Sequence, residues 1–327
     1  MNILVLDVAA DSEGALSVLN QYYDKFMKDS KNNYYICVSV PKLESQKNIK
    51  VLSFPWVKKT WLHRIVFDFI CTRKLIKKNN IDYIFSLQNI GVLFTNTPQA
   101  IYLHQALPYS KQRIKLSESI KIWIYQNVIS KLISKSIKKA EKVIVQTQWM
   151  KDAVISKEKV NASKIEIVSP NYEVTASKKF LQSNYQNTFF YPAANYIYKN
   201  HIVVFQAVNL LLDSGINNFK VILTLDESSL PKNCRELHSK CKDNIVLLGR
   251  ISNEKVLDLY TSSVLIFASF IESFGLPLLE ARSTDTPIIV SDMPYSREIL
   301  KGYDKAQYFE YCDSKELSLL IKSFCNM

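Results

Sequence analysis

The stretch VLIFASFIESFGLPLLEAR, residues 264–282, contains a strand, a loop and the start of a helix. Its first residues are apolar and predict a buried strand that ends near Ala268. Gly275 lies in the loop that follows, and Pro277 suits the first position of a helix that runs through Arg282. A loop of this kind offers unpaired backbone N–H groups and the positive end of the helix dipole. The stretch therefore predicts a phosphate or diphosphate site.

Two carboxylates lie close to this loop. Glu272 precedes the glycine, and Glu280 lies about one turn into the helix. Carboxylates repel phosphate, but they accept hydrogen bonds from the hydroxyl groups of a sugar or a ribose. The alternative is that Glu280 only interacts with the helix dipole and that Glu272 is solvated.

Short apolar runs alternate with longer amphipathic segments along the chain, which is typical of parallel strands joined by helices. In the first half, the predicted strands are residues 2–8, 34–40, 83–87, 100–103, 142–146 and 165–168, and the helical stretches are 14–28, 61–79 and 115–140. In the second half, the predicted strands are residues 188–191, 220–225, 244–248, 264–268 and 287–290. Residues 173–187 lose the periodicity and predict a linker. The chain is therefore predicted to be α/β, with two doubly wound, Rossmann-like domains, residues 1–172 and 188–327.

Charge is distributed unevenly along the 327 residues, which carry a net charge of +12. Residues 1–172 contain 26 Lys and Arg residues against 13 Asp and Glu residues, whereas residues 173–327 contain 16 and 17. Because the whole basic excess lies in the first half, that half is predicted to interact with a polyanion or a membrane surface.

Other features of the composition exclude several classes of protein. A content of 47% hydrophobic and 22% charged residues excludes disordered, collagen-like and coiled-coil chains. Six scattered cysteines without a C-x2-C pair indicate reduced thiols and no zinc site, as in the cytosol. The apolar N-terminus soon meets Asp7 and Asp11, so it predicts a strand and not a secretory leader. No apolar run reaches the roughly 18–20 residues of a membrane-spanning helix.

Residues 244–310 resemble the donor-binding half of the retaining glycosyltransferases of family 4, also called glycosyl transferases group 1. Glu272 and Glu280 match the E-x7-E motif of that family, and residues 274–277 match its core. The resemblance implies the GT-B fold, in which two Rossmann-like domains face each other across a cleft. Residues 1–172 would be the acceptor-binding domain, and residues 188–327 would be the domain that binds the nucleotide-sugar donor. The resemblance also implies that Glu272 contacts the transferred sugar and that Glu280 contacts the ribose of the nucleotide. The loop N–H groups that would hold the diphosphate are those around Ser273, Phe274, Gly275 and Leu276.

Residues 190–201 (FYPAANYIYKNH) resemble the loop in which the family carries an arginine and, five residues later, a lysine on the diphosphate. Lys199 matches the lysine, but Ala194 stands where the arginine is expected. The resemblance implies that Lys199 binds the diphosphate, and what replaces the arginine is left open. Arg250 is a further basic candidate outside this spacing. The alternative is that Lys199 is a solvated loop residue.

Two residues of the first half match donor-binding positions of the family. Gly14 follows the first strand, where the family usually has two or more glycines, although here Ala15 comes next. His104 follows a predicted strand, and the resemblance implies a hydrogen bond from this histidine to a sugar hydroxyl and not proton abstraction. Gln146 and Thr147 are weaker candidates. The alternatives are an ordinary strand-to-helix turn at Gly14 and a structural role for His104.

The sequence contains no Asp-x-Asp triplet, which metal-dependent glycosyltransferases use to hold a divalent cation on the diphosphate. Lys199 and the helix N–H groups are therefore predicted to stabilise the departing nucleoside diphosphate without a metal or another cofactor. The resemblance implies retention of configuration by front-face attack, in which the leaving diphosphate helps to take the acceptor proton. UDP is the preferred nucleotide and GDP the second. The sequence does not specify the sugar, the acceptor or the linkage.

Two basic segments of the first half, residues 56–78 and 111–142, carry seven and nine Lys and Arg residues interleaved with aromatic residues. Such helices suit an anionic membrane surface. We therefore expect a peripheral enzyme on the cytoplasmic face of a membrane. The resemblance implies that it adds a sugar to a lipid-linked or oligosaccharide acceptor during synthesis of a capsule or O-antigen type of polysaccharide. The alternative is that these are solvated helix faces whose apolar sides belong to the core.

Three other functions share some of these features. A nucleic-acid-binding protein would explain the charge, but no motif of that class is recognised, so we expect no nucleic-acid partner. A sugar phosphorylase or nucleotide-sugar epimerase of GT-B-like fold would share the phosphate site. A nicotinamide oxidoreductase is disfavoured, because the first strand is not followed by G-x-G-x-x-G.

Overall fold

The structure, a computed structural model, describes residues 1–11, 13–170 and 178–325. The chain divides into two compact units, Met1–Asn171 and Tyr172–Met327. The predicted linker falls in part on residues 173–177, which lie outside the described residues. Its remainder is hydrogen-bonded to the second unit, where Phe180 N–H donates to the Thr284 carbonyl at 2.7 Å and Leu181 N–H to the Thr261 carbonyl at 3.2 Å.

The first unit contains a seven-stranded parallel sheet with the order β3-β2-β1-β4-β5-β6-β7. Its strands are β1 (Asn2–Asp7), β2 (Asn33–Val38), β3 (Ile49–Ser53), β4 (Tyr83–Ser86), β5 (Gln99–Tyr102), β6 (Lys142–Val145) and β7 (Ile165–Ile167). Its helices are α1 (Glu13–Met27), α2 (Trp61–Val66), α3 (Thr72–Lys78), α4 (Ile120–Ile124), α5 (Ser130–Lys139) and α6 (Gln148–Glu158). A π turn joins α2 to α3, and a second π turn joins α4 to α5.

Both faces of this sheet are buried. Successive side chains of a strand point to opposite faces, and in β1 Leu4 and Leu6 pack into one hydrophobic cluster while Val5 packs into another. All three side chains are at most 1% exposed. This burial on two sides explains why the strands read as continuous apolar runs, and it confirms the prediction of a doubly wound sheet.

The second unit contains a six-stranded parallel sheet with the order β10-β9-β8-β11-β12-β13. Its strands are β8 (Thr188–Tyr191), β9 (Lys220–Leu223), β10 (Ile245–Leu247), β11 (Val264–Phe267), β12 (Ile288–Ser291) and β13 (Ala306–Phe309). Its helices are α7 (His201–Asp213), α8 (Lys232–Lys240), α9 (Asn253–Tyr260), α10 (Leu276–Ser283), α11 (Pro294–Ile299) and α12 (Ser314–Cys325).

Every strand expected from the sequence is present within one or two residues at most of its ends, and two further strands were missed. β3 and β13 both lie at the edge of a sheet and are only partly buried, so their sequences are less uniformly apolar. The helix expected to begin at Pro277 begins one residue earlier. None of the helices in the described residues combines the length and the apolar character that crossing a membrane requires.

The strand order reverses once in each sheet. The first reversal lies between β1 and β4, and the second lies between β8 and β11. At such a switch point the loops that follow the two central strands run in opposite directions, which leaves a crevice at the carboxyl ends of the strands. Open α/β sheets bind their ligands at this place. The residues that follow these four strands are therefore the ones that can form a site.

Candidate functional site

The loops that follow β8 and β11 are hydrogen-bonded to each other. The Tyr198 carbonyl accepts from Phe270 N–H at 2.9 Å and from the Ser269 hydroxyl at 3.1 Å. The buried Tyr191 at the end of β8 donates its hydroxyl to the Lys199 carbonyl. These bonds fix the backbone of Lys199 beside the loop that contains Glu272.

Lys199 and Glu272 form an ion pair at the switch point of the second sheet, where Lys199 Nζ donates to Glu272 Oε1. Their side chains are only 18% and 15% exposed. The ammonium group also lies 5.8 Å from the centre of the Tyr198 ring and 5.7 Å from that of Phe267. The alternative that Lys199 and Glu272 are solvated is therefore wrong. Each charge depends on the other for its stability in this partly desolvated place.

Helix α10 begins in the same loop. Gly275 has a φ of +95°, a left-handed conformation that strains any residue with a Cβ atom. Its carbonyl accepts from Leu278 N–H at 3.0 Å and so starts the helix. The Phe274 side chain is 7% exposed and anchors the loop in the core, so only its backbone is suited to a ligand. The loop thus brings the positive end of a helix next to Glu272.

Glu280 is positioned by a buried tyrosine. The Tyr260 hydroxyl donates to Glu280 Oε2 at 3.1 Å. Tyr260 is fully buried and packs against Phe190 of β8, with ring centres 5.6 Å apart. This bond holds the Glu280 carboxylate in a fixed position. A glutamate that only interacted with the helix dipole would not need such a bond.

The residues of the second half that are expected to bind the sugar donor lie in one unit, at the carboxyl ends of the strands of its sheet. Ala194, at the position of the missing arginine, is exposed in the loop after β8. Tyr196 and Tyr198 follow it and stack in parallel, with ring centres 5.3 Å apart and planes 4° apart. Arg250 follows β10, which is separated from β8 by β9. The role of Arg250 stays a prediction.

His104 follows β5 and is fixed by the loop after β4. Its Nε2 lies 2.8 Å from the Leu87 carbonyl, and its backbone N–H donates to Asn89 Oδ1 at 2.7 Å. Since a carbonyl can only accept, Nε2 carries the proton and Nδ1 keeps its lone pair as an acceptor. Burial lowers the pKa of His104 to about 4, so the ring is neutral near pH 7 and a weak base. This state suits a hydrogen bond from a hydroxyl group better than proton abstraction.

The other first-half candidates differ in their surroundings. Gly14 is the second residue of α1 and is exposed, and a Cβ atom at this position would meet nothing within 4 Å. The geometry therefore does not require glycine there. Gln146 and Thr147 follow β6 and are buried. The roles expected for these residues stay predictions.

Asp7 was missed as a functional candidate. It ends β1 at the switch point of the first sheet and is 2% exposed. Burial raises the pKa of its carboxyl group to about 8, although a backbone hydrogen bond and the nearby Arg64 and Lys58 lower it, and Asp11 raises it slightly. The available signal was a charged residue at the end of an otherwise apolar strand.

Groups that could hold a metal ion were also sought. Within residues 1–11, 13–170 and 178–325, no three His, Cys, Asp or Glu side chains lie close enough together to do so. Independence from a metal remains a prediction, since it rests on the missing triplet in the sequence and on the resemblance.

Comparison with known proteins gives a family match for the second half of the chain and a fold for both units. Residues 174–327 match the family model "Glycosyl transferases group 1". The O-antigen chain mannosyltransferase RfbU of Salmonella typhimurium is 25% identical over 301 residues, which cover 88% of this chain and 76% of RfbU. The family-model match confirms the resemblance of residues 244–310 to glycosyl transferases group 1. Membership of family 4 and retention of configuration stay predictions.

Solved structures extend the likeness over both units. The lipopolysaccharide outer core galactosyltransferase WaaB, in its apo form, has a TM-score of 0.69 at 15% identity, covering 99% of this chain and 91% of WaaB. HepE of Anabaena in complex with UDP has a TM-score of 0.67 at 14% identity, covering 100% of this chain and 90% of HepE. At these identities the likeness shows the fold alone, and it confirms the GT-B prediction.

The raised pKa of Asp7 predicts a stability that falls as the pH rises. Between about pH 4 and pH 8 this carboxyl group is ionised in the unfolded chain but keeps its proton in the folded chain. Each rise in pH within this range therefore favours unfolding. Asp7→Asn cannot ionise and should be more stable than the unmodified chain at pH 8, by at least about 1 kcal/mol or about 2–4 °C in Tm. The difference should shrink at pH 5. Thermal melts at both pH values measure it, with the exposed Asp24→Asn as control, and an equal difference at both would contradict it.

Proposed function

We propose that this GT-B chain, whose residues 174–327 form a glycosyl transferases group 1 domain, transfers a hexose from a nucleotide sugar to a saccharide acceptor in polysaccharide assembly. The observation that carries the proposal is the Lys199–Glu272 ion pair at the start of α10. The pair places a cation that can bind a diphosphate next to a carboxylate that can accept hydrogen bonds from a sugar. Two similar proteins, an O-antigen chain mannosyltransferase and a lipopolysaccharide outer core galactosyltransferase, support a role in O-antigen or capsule synthesis.

Donor binding would exchange the partner of Lys199. A diphosphate carries more negative charge than the Glu272 carboxylate, and the N-terminus of α10 offers it further N–H donors. When the diphosphate takes Lys199, the carboxylate is released to accept hydrogen bonds from the sugar hydroxyls. Glu280, held by Tyr260, would accept from the ribose. Without a bound donor, the two charges therefore compensate each other. A bound donor supplies a new partner for each.

For the transfer step we propose the route that the resemblance implies, with these residues in the stated roles. The bond between the anomeric carbon and the diphosphate oxygen breaks, and Lys199 with the α10 N–H groups stabilises the charge on the leaving group. Glu272 stabilises the positive charge that develops on the sugar. The acceptor oxygen bonds to the anomeric carbon on the face that the diphosphate leaves, and the acceptor proton passes to a diphosphate oxygen. The configuration is retained, and His104 Nδ1 can accept from a hydroxyl of the substrate.

The preferred donor nucleotide is UDP, with GDP second. The UDP complex of HepE, which shares the fold, supports this order. The two similar enzymes named above transfer different sugars, mannose and galactose, so a panel of UDP-glucose, UDP-galactose and GDP-mannose is the appropriate first set of donors.

Glu272→Gln should reduce the rate of transfer or of slow donor hydrolysis at least about 100-fold, because the amide cannot stabilise the positive charge on the sugar. Its UDP affinity should be unchanged or higher, since Lys199 is no longer paired with a carboxylate. Lys199→Met should instead weaken UDP binding about tenfold or more. Calorimetry with UDP and hydrolysis of the donor panel measure the two effects.

The matched control is Glu236→Gln, an exposed glutamate on α8. It should leave both measurements unchanged. A fully active Glu272→Gln, or a Lys199→Met that binds UDP as tightly as the unmodified chain, would contradict the assignment. Inorganic phosphate in place of an acceptor separates transfer from phosphorolysis.

We also propose that the first unit binds the anionic cytoplasmic surface of a membrane. Apolar side chains of the helix that begins with α2 are exposed instead of buried: Trp61 by 60%, Leu62 by 73%, Ile65 by 49%, Val66 by 42% and Ile70 by 49%. Their spacing places most of them along one side of the helix. The alternative that this apolar side belongs to the core is therefore wrong for these residues. Basic residues of the same segment would meet anionic headgroups, at about 1 kcal/mol each.

Flotation with vesicles tests this surface. The chain should bind phosphatidylglycerol vesicles at low salt and lose binding at high salt or on phosphatidylcholine. The double variant Leu62→Ser/Ile65→Ser should bind at least about tenfold more weakly, because it removes apolar area from the contact. The control is Leu319→Ser, which removes a leucine of 59% exposure from the second unit. No binding of the unmodified chain at low salt would end the membrane proposal.

A further inference from the structure

The loop that contains Glu272 is held by a third element, helix α11. This helix follows β12, the neighbour of β11 in the sheet. Its second residue, Tyr295, is only 1% exposed. The ring of Tyr295 packs edge-on against that of Phe267, the last residue of β11, with ring centres 6.1 Å apart and planes at 75°. Tyr295 therefore lies beside the end of β11, where the loop begins.

Tyr295 contacts this loop on both sides of the glutamate. Its hydroxyl donates to the Ser269 carbonyl at 2.6 Å, three residues before Glu272. Its ring packs against Gly275, three residues after Glu272, where a Cβ atom would lie 3.4 and 3.5 Å from two atoms of the ring. One buried side chain thus constrains the backbone before and after the carboxylate.

The start of α11 is itself fixed to the sheet. Met293 N–H donates to the Ser296 hydroxyl at 3.1 Å, and that hydroxyl donates to the Ser291 carbonyl at 2.7 Å. Ser296 is fully buried, and Ser291 is the last residue of β12. Because these bonds tie α11 to the end of β12, Tyr295 connects the loop to a rigid part of the fold.

The phenol of Tyr295 remains a hydrogen-bond donor. Burial raises its pKa well above the usual value, and the negative charge of Glu272 raises the pKa further. The phenol therefore keeps its proton near neutral pH, and the effect of Glu272 indicates that the carboxylate lies near the ring. Since the hydroxyl is bonded to the Ser269 carbonyl, Tyr295 acts on Glu272 through the backbone.

This constraint matters most when a donor is bound. In the free chain, the ion pair with Lys199 holds the Glu272 carboxylate. In the proposed function the diphosphate takes Lys199, so the pair no longer fixes Glu272. The position of the carboxylate at the sugar then depends more strongly on the backbone of its loop. A displacement of about 1 Å at a reacting centre can reduce a rate about 100-fold.

We propose that Tyr295 is a positioning residue, which holds Glu272 at the transferred sugar through the Ser269 carbonyl once Lys199 binds the diphosphate. This role rests on the proposed function, because it belongs to the same transfer step. Tyr295 is buried and its hydroxyl is already bonded, so it does not contact the donor itself. The hydroxyl is therefore needed for the rate of the chemical step and not for the affinity for UDP.

The test compares two tyrosine variants of the full chain. Tyr295→Phe removes the bond to Ser269 but keeps the ring that packs against Gly275. The control, Tyr303→Phe, removes a hydroxyl that donates to the Thr286 carbonyl at 2.7 Å, in the same unit but before β12, at the amino ends of the strands. Each variant leaves a backbone carbonyl without its donor, so both should lower the Tm by about 2 °C or more.

The two variants should differ in their activity. The substrate is the donor of the panel that the unmodified chain hydrolyses fastest. Tyr295→Phe should lower kcat at least about tenfold, while its KM and its UDP affinity change by less than about twofold. Tyr303→Phe should keep kcat, KM and UDP affinity within about twofold of the unmodified chain. Steady-state hydrolysis, calorimetry with UDP and thermal melts measure these quantities.

The outcomes separate this role from the proposed function. If the unmodified chain hydrolyses a donor and Tyr295→Phe keeps the full kcat, the role of Tyr295 is overturned alone. It is also overturned if Tyr303→Phe loses as much kcat, or if the loss in Tyr295→Phe is confined to UDP affinity and KM. If the unmodified chain hydrolyses no donor of the panel, the proposed function fails, and the role of Tyr295 fails with it.

Discussion

The Lys199–Glu272 ion pair is the interaction on which the proposed donor site depends. Two opposite charges that are more than four-fifths buried stabilise each other, and either one alone would bear an uncompensated desolvation cost. Hydrogen bonds between the loops after β8 and β11 hold the two residues together. In our proposal a nucleotide sugar gives each charge a new partner, because its diphosphate bonds Lys199 and its sugar hydroxyls donate to Glu272.

The two units use the same topology for different chemistry. Each sheet has one switch point, and polar residues collect at the carboxyl ends of its central strands. In the second unit these residues are a charge pair and a helix N-terminus, which suit a diphosphate sugar. In the first unit Asp7, whose pKa is raised by burial, ends β1, and the neutral His104 follows β5. Residues 56–78 combine seven Lys and Arg residues with apolar side chains that are exposed, among them Trp61, Leu62 and Ile65.

The central strands could be predicted from the sequence, because strands buried on both faces form uninterrupted apolar runs. The edge strands β3 and β13 could not, because their partly exposed faces admit polar residues. Glu272 and Lys199 were identified by their resemblance to family motifs, but their pairing was not, since 73 residues separate them in the chain. Asp7 gave only one signal, a charge at the end of an apolar strand, because the burial that raises its pKa exists only in the folded chain.

The most direct test of the central claim is a crystal structure of the chain with a bound UDP-sugar. The account predicts that Lys199 Nζ leaves Glu272 and lies within hydrogen-bond distance of a diphosphate oxygen at the N-terminus of α10. Glu272 should then accept from hydroxyls of the sugar. A bound donor that leaves the Lys199–Glu272 pair intact, or that lies away from the carboxyl ends of β8 and β11, would contradict the account.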